Sequence, residues 1–202
     1  PVMLTTLRTH GFAPAGWQMI PDDRPRLMER LADAIQQQRV TLVSGGVSVG
    51  KYDFVPEVVE ALGGVIHYHG IAIKPGKPQL YATFPDGHHL FGLPGNPLAV
   101  LTGLHEFVLP ALRRMSGCPA ADCRPLLRLP LRTELRVKGK RRQLQIARLV
   151  TDEQGTTVEP IPNTGSSDFV SNCRAEGMIL LPEGNPPLAA GTCVAFRPWK
   201  PL

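Results

Sequence analysis

Three short stretches hold most of the residues that could do chemistry. The first is Ser44-Gly45-Gly46-Val47-Ser48-Val49-Gly50, followed at once by Lys51-Tyr52-Asp53. The second is Lys74-Pro75-Gly76-Lys77-Pro78, and the third is Gly92-Leu93-Pro94-Gly95-Asn96-Pro97. In the first, glycines let the backbone approach an anion closely. Two hydroxyls can donate, and the start of a following helix adds partial positive charge. The glycine and lysine spacing fits neither the Walker nor the dinucleotide fingerprint. A tight strand-to-helix connection and a phosphate cradle are both consistent with this loop alone. In the second stretch, prolines and a glycine fix the backbone around Lys74 and Lys77, so less entropy is lost in aiming two ammonium groups at one anion. In the third, Asn96-Pro97 opens a helix. The amides of that helix would face the same edge as the first loop.

Acidic residues frame these loops. Asp53 would either cap the helix that follows or hold a divalent cation beside the phosphate loop. Asp22 and Asp23 precede Arg24-Pro25 and read as caps at a helix start. The run Lys138-Gly139-Lys140-Arg141-Arg142 is either a solvated loop or a contact to an anionic ligand. His67 and His69 share a strand face without a third metal ligand at readable spacing, which favours packing or hydrogen bonding. His88 and His89 lie at a hairpin tip, where exposure is expected.

The elements needed to position these residues follow from periodicity. Residues 1–10 read as a helix end stopped by Gly11, and Ala15 to Ile20 as a short strand. Leu27, Leu31 and Ile35 mark a helix after Asp23. Val40 to Val43 is a buried strand, and Val55, Val58, Val59 and Leu62 mark the next helix. Val65 to Ile73 is a strand ending at the second loop. Asp86-Gly87 is the turn between strands at Gln79 to Phe84 and His89 to Phe91. A long helix from Asn96 carries Leu101, Leu104, Val108, Leu112 and Met115 on one stripe, and Pro110 should kink or break it. The alternation of strands and helices predicts an α/β layer fold with some parallel strands.

After Cys118 the pattern changes. Leu127, Leu129, Leu131, Thr133, Leu135 and Val137 alternate with charged residues as a half-wet strand. Short strands fit Leu144 to Val150, Thr156 to Glu159, Met178 to Leu181 and Cys193 to Phe196, with no helix pattern among them. A small all-β, barrel-like domain is expected there. The expected organisation is therefore residues 1–117 as an α/β domain and 118–202 as a C-terminal β domain.

Composition narrows the function classes. The chain has 202 residues, is 43% apolar and contains no apolar run of membrane-span length, so no membrane partner is expected. A net charge of +5 spread along the chain, with aromatics at 6% that do not interleave with basic residues, argues for anionic small molecules over nucleic acid. Four cysteines without a Cys-x-x-Cys pair read as reduced thiols of a cytoplasmic protein.

Taken together, SGGVSVG, the aspartate of KYD, KPGKP and GLPGNP, in that order, resemble the molybdopterin molybdenumtransferase family, whose eukaryotic relatives include the gephyrin E domain. The resemblance is specific from about Pro21 to Gly117 and looser to the C-terminus. It implies a layered MoaB/Mog-like molybdopterin-binding α/β domain, incomplete at its N-terminus, followed by a barrel-like β domain. The implied activity is insertion of molybdate into adenylylated molybdopterin with release of AMP, assisted by Mg²⁺. It implies catalytic roles for Asp53 and Asp22, with Asp53 at the metal. Substrate-binding roles follow for Ser44, Gly45, Gly46, Val47, Ser48, Lys74, Lys77, Pro94, Gly95, Asn96 and Pro97, and for Arg141 and Arg142 in the basic run. Relatives often carry an acidic residue where this chain has Lys51, which speaks against a metal role there and for added positive charge. The family is homodimeric, and a molybdopterin adenylyltransferase is the expected supplier of substrate. The chain starts at Pro1, and its first residues read as the tail of a longer protein. The alternative reading is a catalytically drifted molybdopterin-binding or scaffold domain of the same fold. A stand-alone binding domain of the adenylyltransferase type is disfavoured by the second domain.

Overall fold

The computed structural model describes residues 1–48, 50, 53–163, 165, 168–182, 184 and 186–201. Helix α1 (Val2–Thr9) stops where Gly11 takes φ 81°. Helix α2 (Arg24–Gln37) begins on Asp23, whose carboxylate accepts from the Arg26 amide at 2.9 Å, with Pro25 in the first turn. Between them Ala15 to Ile20 forms no strand. Pro14 and Gly16 interrupt the segment and no neighbouring strand pairs with it, so Trp17 and Met19 stay 69% and 87% exposed.

Strand β1 (Val40–Ser44), helix α3 (Val55–Ala61), and strands β2 (Val65–His69), β3 (Ile73–Lys74), β4 (Leu80–Thr83) and β5 (His89–Leu93) follow. Four of these strands make one sheet in the order β1-β5-β4-β2. In it β1 runs parallel to β5 and the other pairs are antiparallel. The two-residue period of the strands feeds two cores. Leu80, Ala82 and Leu90 point to one face and pack with Leu27, Leu31, Val55, Val58 and Val59 of α2 and α3. Phe91 and Leu93 point to the other, against Val100, Leu104 and Val108.

That second face is covered by helix α4 (Pro97–Gly103), a π-helical turn (Leu104–Val108) and helix α5 (Leu109–Met115). The expected effect of Pro110 takes the form of this π turn. Proline brings no amide and its ring crowds the carbonyl four residues back. The wider turn, closed by the Leu109 amide on the Leu104 carbonyl, absorbs the misfit without ending the helix.

The second sheet contains β6 (Leu127–Pro130), β7 (Arg142–Asp152), β8 (Gly155–Pro160), β9 (Gly177–Leu180) and β10 (Cys193–Pro198). Its order is β3-β7-β9-β10-β6, with β8 also on β7. Its ends approach each other where Leu131 bridges Val158 and the Arg132 amide donates to the Val158 carbonyl at 2.9 Å. No continuous ladder closes the barrel among the described residues. The strand expected over Leu127 to Val137 stops at Pro130, and Leu131 and Leu135 make single bridges to Val158 and Leu188 instead. A five-residue helix, α6 (Phe169–Cys173), appears where no helix was expected; the Asp168 carboxylate caps it by accepting from the Ser171 amide at 3.0 Å.

Strand pairing, packing and a buried ion pair all join the two layers. Strand β3, contributed by the first half, pairs in parallel with β7. Leu98 packs with Leu144, Ile146 and Met178. The Arg197 guanidinium donates to Glu106 at 2.8 Å, with their side chains only 4% and 13% exposed.

The hairpin histidines are not exposed. His88 is buried and its Nδ1–H donates to the Gln38 carbonyl at 2.6 Å, closing the end of α2. His89 is half-buried, with Nδ1 bonded to the Tyr81 hydroxyl at 2.8 Å. The turn residues 85–87 are exposed, but the His88 side chain turns inward to Gln38, a long-range contact that local turn chemistry does not encode.

Candidate anion-binding site

The first and third loops leave the carboxyl ends of two parallel strands, Ser44 standing beside Leu93 in the ladder. This sheet edge is where α/β folds place ligands. The Gly45 amide donates to the Leu93 carbonyl at 3.0 Å, and the Ser44 hydroxyl to the Pro94 carbonyl at 3.2 Å. A Cβ built on Gly95 would come within 3.8 Å of the Gly45 Cα, so the loops meet through bare backbone. Gly45 and Gly46 take φ of 90° and 68°, conformations that glycine alone adopts without cost. The Ser44 hydroxyl is thus spent on joining loops rather than left for a ligand. Val47 is 1% exposed and serves as a plug: its side chain reaches back to Gly92, and its carbonyl accepts from His69 Nε2–H at 2.6 Å. Ser48 remains exposed at the loop surface. Val49, Lys51 and Tyr52 lie outside the described residues.

Asp53 folds back into the loop. Its Oδ2 accepts from the Gly50 amide at 2.6 Å, and helix α3 starts at Phe54 with no side-chain cap. The capping reading of Asp53 therefore gives way to a loop-closing role, with its second carboxylate oxygen unpartnered among the described residues. Asp22 is exposed at the start of α2, and Asp23 does the capping. Helix α2 runs back against β1, which puts its first turn at the same edge as the loops. The Arg24–Glu57 pair at 2.8 Å ties that turn to the start of α3.

Lys74 and Lys77 are exposed on a loop that is held from three sides. The Lys77 carbonyl accepts from the Ile71 and Gln79 amides, each at 2.9 Å. Gln79, 1% exposed, reaches from the loop to the Ala99 carbonyl of α4 at 3.3 Å, filling the space between Gly76 and Gly103. On the other side Ile73 pairs with Arg142, and Arg141 Nη1 donates to the Ile73 carbonyl at 3.3 Å. The structure thus brings Arg141 to the root of Lys74. Arg142 behaves differently, since its Nε donates to the Leu181 carbonyl at 3.3 Å. In the third loop, Asn96 caps α4 by accepting from the Leu98 amide at 3.2 Å, so that helix amide is already satisfied. Pro94 and Pro97 frame it without amides of their own.

His67 and His69 bond to Thr83 Oγ1 at 2.7 Å and to Val47, and no group of three or more His, Cys, Asp or Glu side chains clusters for a metal among the described residues. Asp53 and Asp22 suit a cation of the Mg²⁺ type, which takes one or two carboxylates and completes its shell with phosphate oxygens and water. Sequence reasoning passed over Gln79, the packing of Val47 on Gly92 and the His69–Val47 bond. A polar residue opening an apolar strand and a glycine inside one were the available signals.

The family described as "Probable molybdopterin binding domain" matches residues 1–114, and that described as "MoeA C-terminal region (domain IV)" matches residues 128–199. A molybdopterin molybdenumtransferase of Synechocystis sp. is 30% identical over 196 residues, covering 96% of this chain and 47% of that protein. One from Staphylococcus epidermidis is 29% identical over 195 residues, covering 96% and 46%. The crystal structure of a molybdopterin biosynthesis moeA protein from Pyrococcus horikoshii superposes with a TM-score of 0.71 at 30% identity, over 90% of this chain and 42% of that one. The chain spans about half the length of the curated relatives it matches.

Proposed function

We propose that this chain, which belongs to the probable molybdopterin-binding domain family, carries the molybdopterin and molybdate site of a molybdopterin molybdenumtransferase. The observation that carries the reading is the cationic corner at the second loop. Arg141 sits on the carbonyl that precedes Lys74, and Gln79 clamps the same loop to the helix that begins at Asn96. Two ammonium groups and a guanidinium held by backbone anchors suit a tetrahedral oxyanion and a phosphate.

In this reading adenylylated molybdopterin lies along the edge formed by residues 44–48 and 94–97, and molybdate is held by Lys74, Lys77 and Arg141. Water cleaves the phosphoanhydride, AMP leaves, and the dithiolene sulfurs of the pterin receive molybdenum. The chain's own part is placement: glycine backbone close to the phosphates, fixed cations around charge that develops on oxygen, and carboxylates at Asp53 and Asp22. A bound Mg²⁺ would supply charge neutralisation at the phosphates, held by Asp53. Family membership supports three further parts of the proposal: a homodimer, a molybdopterin adenylyltransferase as supplier, and a cytoplasmic setting.

The test is Lys77→Ala in the full-length protein, read by molybdate and phosphate-ligand titration across a range of salt concentration. Weaker binding with a flattened salt dependence is expected. Dissociation constants equal to those of the unaltered protein at every salt concentration would return Lys77 to the solvated surface.

A further inference from the structure

The register of β3 on β7 separates two faces. Ile73 stands beside Arg142 and Lys74 beside Gln143, and consecutive strand residues point to opposite sides. Lys74 and Gln143 therefore face one way, while Ile73 and Arg142 face the other, into a groove of about 270 Å³ at the junction of the two layers. Leu144 continues the Arg142 face two residues on and pairs with Leu180, giving the groove an apolar floor beside Ile73. Phe107, from the π turn, also lines the groove. Such turns recur at functional sites because the extra residue re-aims the side chains within it.

The charges at this groove are unequal. Its acidic group, Glu106, is already held by Arg197 at 2.8 Å in a buried pair. Of its two arginines, Arg142 is steadied at Nε by the Leu181 carbonyl. Arg124, on the connection leading to β6, has no hydrogen-bond or ion-pair partner among the described residues and stands near the Tyr68 phenol. Apolar walls with two guanidiniums at the lip make a concave site with a few convergent polar groups. Its volume is below the roughly 300 Å³ at which drug-sized pockets begin, so the occupant is about one ring in size.

We propose that this groove is a second ligand site, on the face of β3–β7 turned away from Lys74, for a small anion with a flat apolar body, of the aryl phosphate type. The ring lies between Phe107 and the Ile73–Leu144 floor, where aromatic edge and stacking contacts are available, and the anionic group meets Arg124 and Arg142 in fork geometry. The proposal does not depend on the cofactor reading, because the groove's lining includes no residue of the first or third loop among the described residues.

Phenyl phosphate, benzoate and inorganic phosphate are titrated into the full-length protein while the methyl signals of Ile73 and Leu180 are followed by NMR. Saturable shifts with phenyl phosphate are expected, weakened about tenfold or more by Arg124→Gln, since a charge-assisted bond is lost at an exposed position. Ile71 also lines the groove, so the filling variant Ile71→Phe keeps both arginines and should abolish the shifts, whereas Lys77→Ala should leave them unchanged. Inorganic phosphate should bind more weakly than phenyl phosphate. Equal binding of benzoate would extend the site to aryl carboxylates and support it. Shifts that follow Lys77 rather than Arg124, shifts that survive Ile71→Phe, or no saturable shift at millimolar phenyl phosphate would each overturn the proposal.

Discussion

Gly45 and Gly95 meet backbone to backbone, a Cβ on Gly95 standing 3.8 Å from the Gly45 Cα. Two loops separated by half a domain in sequence thereby become one surface. The contact leaves room for one methyl group at Gly95, whereas at Gly92 a Cβ would lie 2.7 Å from Val47 Cγ1 and 3.1 Å from Leu80 Cβ.

The two glycines should therefore respond differently to alanine. Gly95→Ala is expected to leave the urea midpoint nearly unchanged, as for surface substitutions within about 0.5 kcal/mol. Gly92→Ala should cost about 1–3 kcal/mol by overpacking Val47 against β4. Equal effects would contradict the plug role of Val47.

Asp53→Asn keeps an oxygen for the Gly50 amide and removes the charge. Stability should fall by no more than about 1 kcal/mol. If the remaining carboxylate oxygen serves a cation, molybdenum insertion should fall about a hundredfold or more, which is only a few kcal/mol of transition-state stabilisation. Melting temperature and turnover measured on the same preparation separate the roles, and normal turnover would leave Asp53 as a loop closure alone.

How much of this was legible in the sequence depends on the range of the contact. Helix starts at Asp23 and Asn96, the hairpin turn at Gly87 and the strand at residues 40–43 follow from local chemistry, and the structure has them. The strand expected at Ala15 to Ile20 failed because a strand exists only where a neighbour pairs with it. The burial of His88 depends on Gln38, fifty residues away. The same limit applied within the site. Local chemistry marked Lys74 and Lys77, but the Gln79 clamp and the different partners of Arg141 and Arg142 come from tertiary register.

Acid should loosen the joint between the two ends of the chain. His105 is buried with Nε2 unpartnered among the described residues, against the His10 ring at 5.2 Å and the Trp199 ring at 6.3 Å. Burial first, then His10, Arg113 and Arg197, push its pKa down to about 3. His10, which bonds to the Trp199 carbonyl and to Arg113, is lowered by burial as well and by Arg113, although the carbonyl bond opposes this. Both native pKa values lie below the unfolded value of 6.5, so below that pH the unfolded chain binds protons that the folded chain resists. For His105 the contribution is complete above pH 6.5 and is lost as pH falls toward about 3, at up to about 1.4 kcal/mol per pH unit; His10 adds to the same slope in the same direction. Urea midpoints at several pH values should show this slope, reduced in His105→Phe. An unchanged slope in that variant would place the acid sensitivity elsewhere.

The most direct measurement of the account is molybdate-dependent AMP release from adenylylated molybdopterin. It is made with the full-length protein in Mg²⁺, beside its Lys74→Ala/Lys77→Ala variant, with bound molybdenum determined on the same samples. The account predicts that the unaltered protein releases AMP and gains molybdenum together when molybdate is added, and that the double variant, folded and of unchanged melting temperature, does neither. A double variant that releases AMP and incorporates molybdenum at the unaltered rate would contradict the assignment of the oxyanion site to these lysines.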